Sequence, residues 1–313
     1  MHVESTNAAR RTRAFVLAPV WFLRLAALEL FSLWLIVTTG AAVRLTDSGL
    51  GCEHWPGCEA GHPLPAKDYH AFIEFGNRLV GGVTIVLTLV VALASWWTPI
   101  TRAARRLAVA LFAGTLAQAP LGYLAVKSDL RWPVVAAHLL LSMVLISGAV
   151  VLVFLAFERV TGAAAKAFVP LELRRVGIAV ALAALALLVS GSLATAAGPH
   201  SGGGTTHVER LARLEPVVYA HAGVVAFFGC SFLFLLGYLA SIRRHWPRLF
   251  NAALVVLAIV LVQAGLGDLQ YRLHLPWYLV LVHVGVAATA WLAVVALVMA
   301  LWRPPSALAP TAT

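Results

Sequence analysis

Read from its N-terminus, the chain alternates long apolar runs with short polar punctuation, and few polar residues fall inside the runs. Eight runs are long enough to cross a bilayer core of about 30 Å, which takes roughly 20 apolar residues per helix. They cover about 21–43, 71–97, 107–126, 133–157, 176–197, 216–240, 249–268 and 276–301. The spacing within them is helical or continuous, not the short alternation of an outer-membrane strand. The pattern therefore predicts an all-α integral membrane protein with eight transmembrane helices.

Composition agrees with this. Of 313 residues, 61% are hydrophobic and 12% charged, and the mean hydropathy is +0.88, far from the balance of a soluble domain. The net charge of +10 adds an orientation. With the N-terminus inside, fourteen Lys and Arg fall on inner segments, among them Arg10, Arg11, Arg13 and Lys166, against seven in outer loops, among them Lys67. This bias predicts both termini on the cytoplasmic side of a bacterial plasma membrane, or on the matrix side of a mitochondrial inner membrane. No basic cluster interleaves with aromatics as a nucleic-acid surface would, so membrane lipid is the partner the charge implies. The first run exceeds the 7–15 residues typical of a signal-peptide core and is read as a helix.

The first outer loop, "RLTDSGLGCEHWPGCEAGHPLP", holds Cys52 and Cys58, on the oxidising side if this topology holds. A disulfide is expected, closing a short loop and contributing roughly 2 kcal/mol on a chain-entropy basis. A zinc site using His54 or His62 and a redox-active pair are the alternatives. Cys230 lies mid-helix and reads as a small apolar residue.

The two halves resemble each other. "LAQAPLGYL" at 116–124 matches "LVQAGLGDL" at 261–269, and the same offset of 145 carries Trp132 onto Trp277 and His138 onto His283. Parallel repeats of four helices each are expected. They comprise an N-terminal bundle, 1–157, with an outer loop 44–70; an inner linker, 158–175; and a C-terminal bundle, 176–313. Gln118 and Gln263 read as interhelical hydrogen bonds, and Trp132 and Trp277 as interfacial anchors.

Candidate chemistry falls on the even-numbered helices. Glu74, Asn77 and Arg78 share helix two, and His138, His221 and His283 lie on helices four, six and eight. The positions come some five to seven residues after the helix starts, about 8–11 Å below the outer boundary. An ionisable side chain inside a membrane helix is costly and by default functional. Two imidazoles at one depth, without an acidic neighbour, suit axial ligation of a haem between facing helices better than a bare cation site. Glu74 and Arg78, four residues apart, share a helix face, where a local ion pair competes with a catalytic carboxylate as the reading. Glu29, in the first helix, has no assigned role.

"TTGAAVRLTDSGLGCEHWPGC", "IEFGNRLVGG", "QAPLG", "AAGPHSGGG" and "QAGLG", with the three histidines, resemble the haem A synthases, membrane enzymes of cytochrome oxidase biogenesis. The resemblance spans nearly all eight helices. It implies oxidation of the C8 methyl of haem O to a formyl group by successive hydroxylations. It implies a haem b between His221 and His283, and haem O bound in the N-terminal bundle by His138 with Glu74 beside it. Arg78 is expected to pair with Glu74 or with a propionate. The partners implied are haem O, a haem O synthase and an electron acceptor that the sequence does not name; a homo-oligomer remains open. One departure stands out: the family commonly reads Glu-x-x-His-Arg where this chain has "EFGNR", placing Asn77 in a ligand position. The rival reading is a di-haem b-type electron carrier, which has no use for a carboxylate beside one site.

Overall fold

The structure, a computed structural model, describes residues 16–55, 57–62, 64–65, 68–162, 169–204 and 206–303. Arg10, Arg11, Arg13, Lys67 and Lys166, and 163–168 of the expected linker, lie outside these. Eight helices follow in order: α1 Pro19–Leu45, α2 Tyr69–Trp97, α3 Arg102–Lys127, α4 Trp132–Thr161, α5 Leu171–Ala197, α6 Leu214–Ser241, α7 Pro247–Arg272 and α8 Trp277–Trp302. Each has 26 to 30 residues, about 39–45 Å at 1.5 Å per residue, enough to cross a bilayer. Fewer than half of the residues in each apolar window are buried, so most of this apolar surface faces outward, as suits lipid. The protein is thus a multi-pass all-α membrane protein.

The helix ends follow from local chemistry. Asp68 caps α2, its Oδ2 accepting the N–H of Ala71 at 3.0 Å, and the Thr101 hydroxyl caps α3 through Ala104 N–H at 3.1 Å. Proline occupies the first turn of α1, α4 and α7, where no donor is lost. α3 and α7 end alike, each followed by two non-glycine residues with positive φ, Asp129–Leu130 and His274–Leu275. Leu130 N–H bonds Ala125 C=O at 2.8 Å, and Leu275 N–H bonds Gln270 C=O at 2.7 Å. The two turns are related by the offset of the sequence repeat.

Helix packing closes two rings. α1 packs on α2 and α4, and α3 on α2 and α4; α5 packs on α6 and α8, and α7 on α6 and α8. The first ring has a core around Phe22, Leu33, Ile146 and Leu152, the second around Phe228, Phe232, Leu235 and Leu249. α8 joins the rings by packing on α1 and α4, and α4 also meets α5. Two indoles bridge this seam: Trp34 Nε1 donates to Thr289 Oγ1 at 3.0 Å, and Trp291 Nε1 to Ser147 Oγ at 2.9 Å and Met143 C=O at 3.0 Å.

The loops after α1 and α5 meet at one end of the molecule. Gly49 N–H bonds Gly202 C=O at 2.8 Å, and Gly202 N–H bonds Asp47 Oδ1 at 3.1 Å. Arg44 reaches across to His200 C=O at 3.1 Å and Thr195 C=O at 3.0 Å. Arg210 shares the Thr195 carbonyl; partial burial pushes its guanidinium down from the usual range, while Asp47 nearby raises it. The glycine-rich segment 198–213 is therefore latched to the first loop.

Candidate functional site

Each even helix carries its polar residue near the end that bears the disulfide loop: Asn77 on α2, His138 on α4, His221 on α6 and His283 on α8. In both rings the two even helices occupy opposite corners.

Every one of these side chains is served by a glycine on the preceding odd helix. A Cβ added to Gly267 would stand 3.1 Å from His283 Cε1, one on Gly191 3.3 Å from His221 Cε1, and one on Gly122 3.6 Å from His138 Cε1. On α1, a Cβ on Gly40 would stand 3.9 Å from Asn77 Oδ1. The glycines let each ring settle against bare helix backbone. Polar neighbours then hold it: Ser190 Oγ lies 2.8 Å from His221 Nδ1, and Thr39 Oγ1 donates to Asn77 Oδ1 at 2.8 Å.

Gln118 and Gln263 occupy the same repeat position and bond differently. Gln118 Nε2 donates to Ser142 Oγ at 2.7 Å and to the His138 carbonyl at 3.2 Å. Gln263 Nε2 lies 3.0 Å from His283 Nε2. Both join neighbouring helices, as expected. Both rings leave the same two atoms buried without a hydrogen-bond partner: Gln118 Oε1 and His138 Nδ1 in the first, Gln263 Oε1 and His283 Nδ1 in the second. Buried polar groups are nearly always satisfied, and these four atoms are exceptions at equivalent repeat positions.

The acidic corner is organised by the first loop. Cys52 and Cys58 form a disulfide, and both are buried. Gly51 presses on the start of α2, where a Cβ would come 2.6 Å from the His70 carbonyl carbon. That approach brings the Cys52 N–H to Glu74 Oε2 at 2.8 Å. Arg78 Nη2 lies 2.5 Å from Glu74 Oε1, and Arg78 Nη1 donates to the carbonyls of His54 and Gly57 inside the disulfide loop. Arg78 thus pairs with Glu74, one of its two expected partners. The carboxylate is 4% exposed with both oxygens engaged.

Glu29 is fully buried in α1, and neither of its oxygens has a partner. His200 Nε2 meets the Leu275 carbonyl at 2.8 Å. Among the described residues no group of three His, Cys, Asp or Glu could hold a metal ion, which leaves nothing to support zinc beside the disulfide. The sequence reading missed the hydroxyl-plus-glycine pairs Thr39–Gly40 and Ser190–Gly191. Their signal is "TTG" in α1 and "VSG" in α5, a small hydroxyl and a glycine inside an apolar run.

Eight spans with three histidines near one end and a clamped carboxylate define a multi-pass membrane protein whose candidate chemistry is gathered at that end. Sequence comparison gives the family: the Cytochrome oxidase assembly protein family matches residues 23–295, and the chain belongs to it. Among curated relatives, a protein of Shewanella oneidensis named Heme A synthase is 26% identical over 331 aligned positions, covering 91% of this chain and 97% of the relative. Proteins of that name from Bacillus pumilus and Bacillus licheniformis are 32% and 35% identical over 137 and 127 residues. Those two matches cover 43% and 39% of this chain and span 44% and 41% of the relatives, less than half their length.

Proposed function

We propose that the chain is a haem A synthase, a membrane-bound oxidoreductase that converts the C8 methyl group of haem O to a formyl group for cytochrome oxidase biogenesis. Two hydroxylations of the methyl carbon, each adding oxygen at the level of water and passing two electrons and two protons to an external electron acceptor, give a geminal diol, and loss of one water leaves the aldehyde. The observation that carries this reading is the placement of His138, His221 and His283 near one end of α4, α6 and α8, each imidazole seated against a glycine of the preceding helix.

The two rings then divide the work as parallel repeats. In the second, His221 and His283 would hold haem b, which supplies a one-electron redox centre when bound. Ser190 fixes the His221 ring through Nδ1 and leaves Nε2 to ligate. Gln263 Nε2 lies 3.0 Å from His283 Nε2, the nitrogen through which His283 would hold the haem. In the first ring His138 binds haem O. Glu74 is the carboxylate placed beside the substrate, held by Arg78 and Cys52 N–H so that it accepts or returns a proton at a fixed position. Arg44 and the latched loop 198–213 close the end at which both sites lie, on the extracytoplasmic side of the membrane.

The test is haem extraction and chromatography of the purified full chain, with and without a co-expressed haem O supply. Haem b with haem A or a hydroxylated intermediate is expected. Two haem b per chain in both preparations would overturn the synthase in favour of a carrier, and a colourless protein would overturn both.

A further inference from the structure

Asn77 is where the two rings part. His221 stands on α6 with Ser190 Oγ at its Nδ1 and the bare backbone of Gly191 against its ring. Asn77 stands in the matching place on α2, with Thr39 Oγ1 at its Oδ1 and Gly40 alongside. The same device, a hydroxyl followed by glycine on the odd helix, serves both positions. Only the side chain that it serves differs.

We propose that Asn77 is not a ligand of the substrate haem but the hydrogen-bond donor on its open face, so that the iron is five-coordinate on His138 and a small ligand binds between iron and amide. This assignment rests on the synthase reading of the first ring. The placing and chemistry of the amide carry it. Thr39 Oγ1 lies 2.8 Å from Asn77 Oδ1 and 3.3 Å from the Ile36 carbonyl, which turns the amide oxygen toward α1. What remains is Nδ2, with two N–H donors and no ligating capacity. A carboxamide is also a shorter side chain than an imidazole, and through Nδ2 it can donate to a small ligand but cannot coordinate.

The second ring has imidazoles at both corners, His221 and His283. On this assignment the two haems differ in kind: one is closed on both faces and suited to passing electrons, the other open on one face and suited to binding a small molecule. The carboxylate clamped by the disulfide loop belongs to the open one, since Glu74 lies one helical turn from Asn77 on α2.

The experiment is electron paramagnetic resonance and carbon monoxide difference spectroscopy on the full chain purified with a haem O supply. One low-spin haem and one high-spin, carbon monoxide-binding haem are expected. Asn77→His should turn the high-spin signal low-spin and weaken carbon monoxide binding at least tenfold, with the haem b signal unchanged as the control for folding. Asn77→Ala should keep the haem high-spin and shift the C–O stretching frequency toward that of an apolar pocket; Thr39→Val, which frees the amide to turn, should shift it as well. Two low-spin haems in the unaltered protein, or a C–O stretch indifferent to Asn77→Ala, would overturn the proposal while leaving the synthase intact. Haem b alone, with no second haem, would overturn the synthase reading and this assignment with it.

Discussion

The carboxylate of Glu74 accepts the backbone N–H of Cys52 at 2.8 Å, so that a residue of the membrane-embedded helix α2 is positioned by a covalently closed loop outside it. The other oxygen takes Arg78, and Arg78 is itself held by two carbonyls of that loop. Glu74→Gln keeps the Cys52 contact and removes the proton-transfer group. Haem A formation should fall roughly 10²–10⁴-fold, the usual contribution of a positioned acid or base, with both haems still bound. Equal loss of substrate haem would assign Glu74 to binding instead.

The disulfide should matter to activity beyond its stabilising effect of roughly 2 kcal/mol. Replacing Cys52 and Cys58 by Ser loosens the peptide that presents the Cys52 N–H and the carbonyls that hold Arg78. Turnover should drop while the haem b spectrum persists, because His221 and His283 lie in the other ring. A variant with unchanged turnover would separate the loop from the carboxylate.

Much of this was legible in the sequence because the membrane simplifies it. Eight apolar runs became eight helices, with ends extended by a few residues where capping chemistry, at Asp68 and Thr101, is not apolar and so escapes a hydropathy reading. The histidines stood out because an imidazole among leucines has no cheap explanation. What stayed hidden depends on partners distant in sequence. Trp34 reads as one more apolar residue until Thr289 is found 3.0 Å from its indole nitrogen, and Arg44, at the end of the first run, could equally mark the interface or meet a propionate by sequence alone, whereas in the fold it reaches the carbonyls of Thr195 and His200. The glycines opposite the imidazoles were equally silent, since a glycine in a helix has many uses and only the neighbouring helix shows which applies.

Those glycines give a graded prediction. Substitution to Ala should disturb the histidines in the order set by the space available: Gly267 at 3.1 Å most, Gly191 at 3.3 Å less, and Gly122 at 3.6 Å, an ordinary van der Waals contact, least. The low-spin haem b signal of purified Gly267→Ala should weaken or broaden, whereas Gly122→Ala should bind substrate haem normally. The reverse order would mean that the rings move away from these contacts when haem is bound.

The seam between the rings rests on α8, and two indole N–H groups cross it. Trp34→Phe and Trp291→Phe each remove partly buried donor contacts while keeping an aromatic ring, at a cost of about 1 kcal/mol apiece. Thermal unfolding in detergent should register both. Because the two indoles bond to different helices, the double variant should lose nearly the sum. Coupling well beyond additivity would mean that the rings separate as a unit once one bridge is gone.

Glu29 poses the sharpest contrast between stability and function. It is fully buried in α1, and neither carboxylate oxygen has a partner, an arrangement that costs a membrane protein free energy without visible return. If the residue serves only the fold, Glu29→Leu should stabilise the detergent-solubilised protein by roughly 1–3 kcal/mol, the penalty attached to an unsatisfied buried polar group. Gln at the same position retains polar atoms without partners and should gain less. Haem content and turnover measured on the same samples decide the matter: a more stable Leu variant with unaltered turnover makes Glu29 a burden on packing, and a more stable variant that no longer forms haem A makes its carboxyl group a part of the chemistry.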